Sequence, residues 1–168
     1  SPNRLCYLVT GDLAFFYDLN SLGNRHVGSN IRILLINNAV GAEFKLNIHP
    51  CYAFSDDADK YMAAAGHYGA KSPVLVKHFS EDLGFQYLSA TNKEEFIEAL
   101  DVFTNPNITD RPILLEVFTS HENENEALQL MTSINVDAKV VMKMKITEAI
   151  RLVAGEKGVK AVKGILKK

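Results

Sequence analysis

Four runs of nearly continuous apolar residues punctuate the chain: LCYLVT at 5–10, IRILLI at 31–36, FQYL at 85–88 and PILLEVFT at 112–119. Each is strand-length and rich in residues that favour a strand. Between them the apolar positions follow helical spacing. Residues 14–22 place Phe15, Leu19 and Leu22 on one face. Residues 57–65 and 73–83 read as helices, the second opened by Pro73 and stopped by Gly84. Asn92 and Glu95 form a capping box ahead of a helix striped by Ile97, Leu100 and Phe103. A further helix starts at Ser120 or His121 and ends near Met131, and the tail from Asp137 reads as one or two helices broken around Gly155. Residues 37–55 show no regular period. Apolar strands separated by helices predict an α/β fold, a mostly parallel sheet covered by helices on both faces. One domain is expected over 1–168, with its core at 4–131 and a helical tail at 137–168.

In such folds ligands bind beyond the carboxyl ends of the strands. Two strand ends here carry conspicuous polar residues, Gly11-Asp12 and Asn37-Asn38. Asp12 follows the first strand and opens a helix, where the N–H groups of Leu13 and Ala14 point outward and favour an anion. Gly11 lets the backbone approach a ligand closely. Asn38 ends the second strand, so a βαβ unit brings a carboxylate and an amide oxygen side by side. Mg²⁺ takes oxygen donors and commonly shares them with phosphate.

Gly-Asp, a helix, an apolar strand and Asn-Asn resemble the cofactor motif of the thiamine diphosphate (ThDP) enzymes, the family of pyruvate decarboxylases and acetolactate synthases. The resemblance implies that Mg²⁺ is bound by the side chains of Asp12 and Asn38 and by the carbonyl of Val40. It also implies that Gly11, Leu13, Ala14 and Gly41 line the diphosphate of ThDP. Leu13 and Ala39-Val40-Gly41 stand where many members carry further glycines. GDLAFFYDLNSL at 11–22 and LLEVFTSHENENEAL at 114–128 are similar to the SEPHCHC synthases (2-succinyl-5-enolpyruvyl-6-hydroxy-3-cyclohexene-1-carboxylate synthases) of menaquinone biosynthesis. VKHFSEDLGFQYLSATNKEEFIEAL at 76–100 resembles the helix–strand–helix block that ThDP enzymes share.

That branch implies decarboxylation of a 2-oxo acid followed by carboligation, a transferase or lyase activity. It also implies a homo-oligomer in which a partner subunit's pyrimidine-binding domain supplies the activating glutamate. The family's pyrimidine domain and the residue that bends the cofactor lie upstream of Gly-Asp, and only ten residues precede Gly11 here. The chain is therefore expected to be a pyrophosphate-domain fragment, inactive alone. Glu43-Phe44 stands where SEPHCHC synthases present Ile-Phe, and 56–72 looks like an insertion. An acetolactate synthase-like enzyme is accordingly the alternative, and a non-catalytic α/β binding domain is the alternative of another class.

Composition changes this picture little. Hydrophobic residues make up 47% and charged residues 23%, and no apolar run reaches membrane-spanning length. Cys6 and Cys51 show neither disulfide-framework nor zinc spacing, so a reducing cytoplasm is expected, with Cys6 in the core. Residues 138–168 hold nine Lys or Arg against two acidic residues, in a chain of net charge −2. No aromatic residue interleaves them, so a solvated helical face is expected and not a nucleic-acid platform. His67, between Gly66 and Gly69, is the histidine best placed for a substrate loop, whereas His78 reads as structural. Phe15-Phe16-Tyr17 reads as helix packing. Ser72 and Ser80 have no hydrolytic partners in the pattern.

Overall fold

The structure, a computed structural model, describes residues 3–46, 49–61, 72–134, 140, 142, 145–147 and 149–152. It divides into two compact units, Ser1–Asn125 and Glu126–Lys168. The first unit runs β1 (Cys6–Gly11), α1 (Asp12–Tyr17), a 3₁₀ turn (Leu19–Gly23), β2 (Ile31–Asn37), 3₁₀ turns at Ala42–Lys45 and Pro50–Asp57, and α2 (Ala58–Tyr61). Then come α3 (Leu75–Asp82), β3 (Gln86–Ala90), α4 (Lys93–Phe103), β4 (Ile113–Phe118) and the start of α5 (His121–Ser133). In the second unit, α5 runs on to Ser133, and the described residues between 140 and 152 are helical.

All four strands pair in parallel in the order β1-β2-β4-β3. This is the α/β arrangement the apolar runs predict, with β2 and β4 central. Alternation along the strands sends side chains into two cores. On one face Ile33, Leu35 and Leu114 pack with Phe15, Leu22, Val76 and Phe85. On the other, Ile113 and Leu115 pack with Ala99 and Phe103 of α4.

Several local expectations shift. Helix 14–22 is a short α1 followed by a 3₁₀ turn, and α3 begins at Leu75 because the Leu75 N–H closes a turn on the Ser72 carbonyl at 3.1 Å. Gly84 does stop α3, at φ +86°, a conformation glycine adopts without strain. Asn92 caps α4 by accepting from the Glu95 N–H at 2.9 Å. Glu95 reaches back one residue further than a capping box requires, to the Thr91 N–H at 2.7 Å. The α4 stripe is set by Phe96, Ala99, Leu100 and Phe103, while Ile97 is exposed.

Cys6 is exposed, not core. It lies on β1, an edge strand, where burial depends on what covers the strand and not on apolar character. Tyr7, Leu8 and Val9 beside it are exposed as well, Val9 to 67%. Within the aromatic run, Phe15 is buried but Tyr17 is 70% exposed. His78 is exposed. Both cysteines are free, and no helix among the described residues is long and apolar enough to cross a membrane. Gly66, His67 and Gly69 lie outside the described residues, as do the helix expected beyond Tyr61 and the tail break at Gly155.

Candidate functional site

Parallel register places the two polar strand ends together. The Cα of Gly11 is opposite that of Ile36, so Asp12 and Asn38 leave neighbouring strands at the same edge of the sheet. Asp12 is only 2% exposed. Its Oδ1 accepts the Leu13 N–H at 2.9 Å, so that N–H serves the carboxylate. Gly11 is exposed, and a Cβ built on it meets nothing within 4 Å, which leaves open space over the strand end. Ala14, one turn on, is also exposed.

The chain turns sharply after β2. Asn37 Oδ1 accepts the Ala39 N–H at 3.1 Å and Asn38 Oδ1 accepts the Val40 N–H at 3.0 Å. These are successive Asx turns. Between them Ala39 sits at φ +64°, a left-handed conformation that costs a non-glycine residue about 1–2 kcal/mol. The bend carries the chain out of the strand direction just after Asn38. Gly41 is buried and starts the Ala42–Lys45 turn, with its carbonyl accepting the Phe44 N–H at 3.2 Å. Glu43 is exposed, and Phe44 packs edge-on against His49 at 5.1 Å.

Beneath this loop lies a buried polar cluster that sequence reasoning missed. Glu116 of β4, 1% exposed, accepts from Asn37 Nδ2 at 2.6 Å and from Tyr87 Oη at 2.7 Å. Burial pushes its carboxyl above the usual range. The two hydrogen bonds pull it back only in part, and the charge of Asp12 adds to the rise. Burial, then the hydrogen bond to Glu116, raises the Tyr87 hydroxyl well above its ordinary value. The signal for this cluster was a glutamate inside an apolar strand, in PILLEVFT.

A second missed residue is Glu124, in the early turns of α5. Its Oε2 accepts from Asn38 Nδ2 at 2.7 Å. Its Oε1 is buried and, among the described residues, has no hydrogen-bond partner.

Asp12 and Asn38 bring a carboxylate and an amide oxygen to neighbouring strand ends, donor types that suit a hard cation. No cluster of three or more His, Cys, Asp or Glu among the described residues is arranged to hold a metal. A cation here would draw on the Asp12 carboxylate together with amide and main-chain oxygens, donors that suit Mg²⁺. The orphaned Glu124 oxygen beside Asn38, together with the Asp12 carboxylate, gives this end of the sheet a negative character that a divalent cation would offset.

Comparison with curated proteins gives a consistent picture. The chain is 39% identical over 129 residues to the 2-succinyl-5-enolpyruvyl-6-hydroxy-3-cyclohexene-1-carboxylate synthase of Phocaeicola vulgatus, a match covering 77% of this chain and 22% of that protein. It is 35% identical over 129 residues to the enzyme of that name from Bacteroides fragilis, covering 77% and 22%. To the one from Bacteroides thetaiotaomicron it is 36% identical over 127 residues, covering 76% and 21%. No protein-family model matches the chain. The chain thus spans about a fifth of the length of the curated relatives it matches. Over about 77% of its own length, at 35–39% identity to several such enzymes, this chain is a SEPHCHC synthase-like domain.

Proposed function

We propose that this domain holds the Mg²⁺ and diphosphate of ThDP in a SEPHCHC synthase-like enzyme that decarboxylates a 2-oxo acid and joins the remaining unit to an acceptor. The observation that carries this reading is the pairing of Asp12 and Asn38 at neighbouring, in-register ends of β1 and β2. Asp12 would supply the carboxylate ligand, Asn38 the amide oxygen and Val40 the carbonyl. Gly11 leaves room for the diphosphate to approach the backbone, and Leu13, Ala14 and Gly41 border the same edge.

When bound, ThDP supplies the electron sink for the carbon chemistry. This chain's part would be to bind and orient: Asp12, Asn38 and Val40 would hold a cation whose charge offsets the diphosphate, and the Ala39 bend would set where their oxygens stand. The relatives are about five times longer than the matched segment, so turnover would need more polypeptide. A pyrimidine-binding domain on a partner subunit of a homo-oligomer would supply the activating glutamate, and the isolated 168-residue chain is expected to be inactive. Calorimetric titration of the intact protein with ThDP tests the reading. Binding that strengthens when Mg²⁺ is added supports it. Absence of ThDP binding in saturating Mg²⁺ would favour a non-catalytic α/β domain.

A further inference from the structure

Resting on the reading of Asp12 and Asn38 as metal ligands, we propose that Glu124 is a positioning residue for that site. Its carboxylate holds the NH₂ end of the Asn38 amide, so that the Oδ1 end is the one left to ligate a cation. An asparagine side chain has two ends of nearly equal shape, and only the oxygen end can ligate a cation. A carboxylate accepts hydrogen bonds and donates none, so a neighbouring carboxylate draws the NH₂ end toward itself. Here Asn38 Nδ2 donates to Glu124 Oε2 at 2.7 Å, while Oδ1 accepts from the Val40 N–H at 3.0 Å. The two contacts independently specify the same orientation.

Topology explains how a residue 86 positions later reaches Asn38. β4 lies beside β2, and the Thr119 N–H donates to the Asn37 carbonyl at 3.0 Å. Pairing therefore continues past the strand ends, and α5 starts next to the loop. Asn125, the next residue, donates from Nδ2 to the Lys45 carbonyl at 3.3 Å. One stretch of α5 thereby fastens both the beginning and the end of the segment 38–45. The second oxygen of Glu124 is buried without a partner among the described residues. A buried carboxylate oxygen in that state carries a desolvation cost that a cation or its bound water can offset. Carboxylates in such outer positions commonly tune metal affinity ten- to a hundred-fold.

The test is Mn²⁺ binding to the intact protein in the presence of ThDP, with free ion measured by electron paramagnetic resonance into the millimolar range. Glu124→Ala is expected to weaken Mn²⁺ binding about ten- to a hundred-fold. Glu124→Gln, nearly the same size, is expected to weaken it several-fold, because an amide can offer Asn38 either end. It carries the test if the alanine variant does not fold. In an Asn38→Ala background, Glu124→Ala should change affinity less than about twofold, since a residue acting only through Asn38 has nothing left to orient. Wild-type affinity in both Glu124 variants, or the same loss with and without Asn38, overturns the proposal. Asp12→Ala serves as the separate control. If it too leaves Mn²⁺ affinity unchanged, the metal site itself is misplaced. If it abolishes binding while Glu124 is silent, only the positioning role falls.

Discussion

Asn37 donates its side-chain amide to Glu116 at 2.6 Å, joining the end of β2 to the middle of β4 across 79 residues of sequence. The same Asn37 accepts the Ala39 N–H through Oδ1. A chain of contacts from Tyr87 through Glu116 and Asn37 therefore ends at the one described non-glycine residue with positive φ. The bend that presents Asn38 and Val40 rests on a buried acid.

Glu116 makes stability depend on pH. Its carboxyl is raised, chiefly by burial, so between the unfolded and folded pKa values the folded state holds a proton that the unfolded state releases. That contribution is full below the unfolded pKa and is lost as pH rises through the folded one. Glu116→Gln cannot ionise. Its amide oxygen can accept from Asn37, and its NH₂ can donate to a turned Tyr87 hydroxyl. Urea denaturation across a pH series should show wild type losing stability relative to this variant as pH climbs above the ordinary carboxylate range. Parallel profiles would contradict the assignment.

Tyr87→Phe removes one of the two donors to a carboxyl that is 1% exposed. Leaving that oxygen unpaired should cost about 1–3 kcal/mol, read as a lower denaturation midpoint at unchanged slope. A change below about 0.5 kcal/mol, as for a surface site, would show that the hydroxyl is not needed.

Arg32 is fully buried at the opposite end of β2 and, among the described residues, meets only neutral acceptors. Nη1 donates to the carbonyls of Ser29 and Ile31, and Nη2 to the Asn107 carbonyl and the Thr109 hydroxyl. Its planar fork spans both segments, which a lysine ammonium cannot reproduce. Arg32→Lys should destabilise by about 2 kcal/mol or more, while leaving metal response intact. Wild-type thermal stability in this variant would contradict the account.

Among the described residues β1 pairs only with β2, and Tyr7, Leu8 and Val9 are exposed. An apolar edge strand invites pairing with another chain, and an inserted lysine blocks it. Light scattering of the 168-residue chain should show self-association that Val9→Lys reduces. A wild-type chain that stays monomeric at high concentration would argue against it.

β2 and β4 were legible because buried parallel strands read as unbroken apolar runs; β1 shows the same kind of run although Tyr7, Leu8 and Val9 are exposed, and all four strands lie within two residues of their runs. The Asp12–Asn38 pair was legible because a βαβ unit fixes where consecutive strand ends fall. Glu116 and Tyr87 were not, because their meeting depends on β4 lying between β2 and β3, and Glu124 was not, because it reaches Asn38 only where β4 brings α5 to the end of β2; local pattern encodes neither. Cys6 and Ile97 misled for a related reason. Apolar character suits a residue to a core, but the covering element decides whether it is in one.

If Asp12 is the carboxylate ligand of a diphosphate-bound Mg²⁺, as we propose, its removal must uncouple ThDP binding from the metal. Asp12→Ala in the intact protein tests it most directly, by calorimetric titration with ThDP in the presence and absence of Mg²⁺. The fold should survive, since Asp12 sits at a strand end outside both apolar clusters. Changes in outer-shell partners alone cost about ten- to a hundred-fold in affinity, and loss of the ligand itself should cost at least as much. The account predicts a folded variant whose ThDP binding is weak and no longer responds to Mg²⁺. A variant that binds ThDP as tightly as wild type, with the same Mg²⁺ dependence, would contradict it.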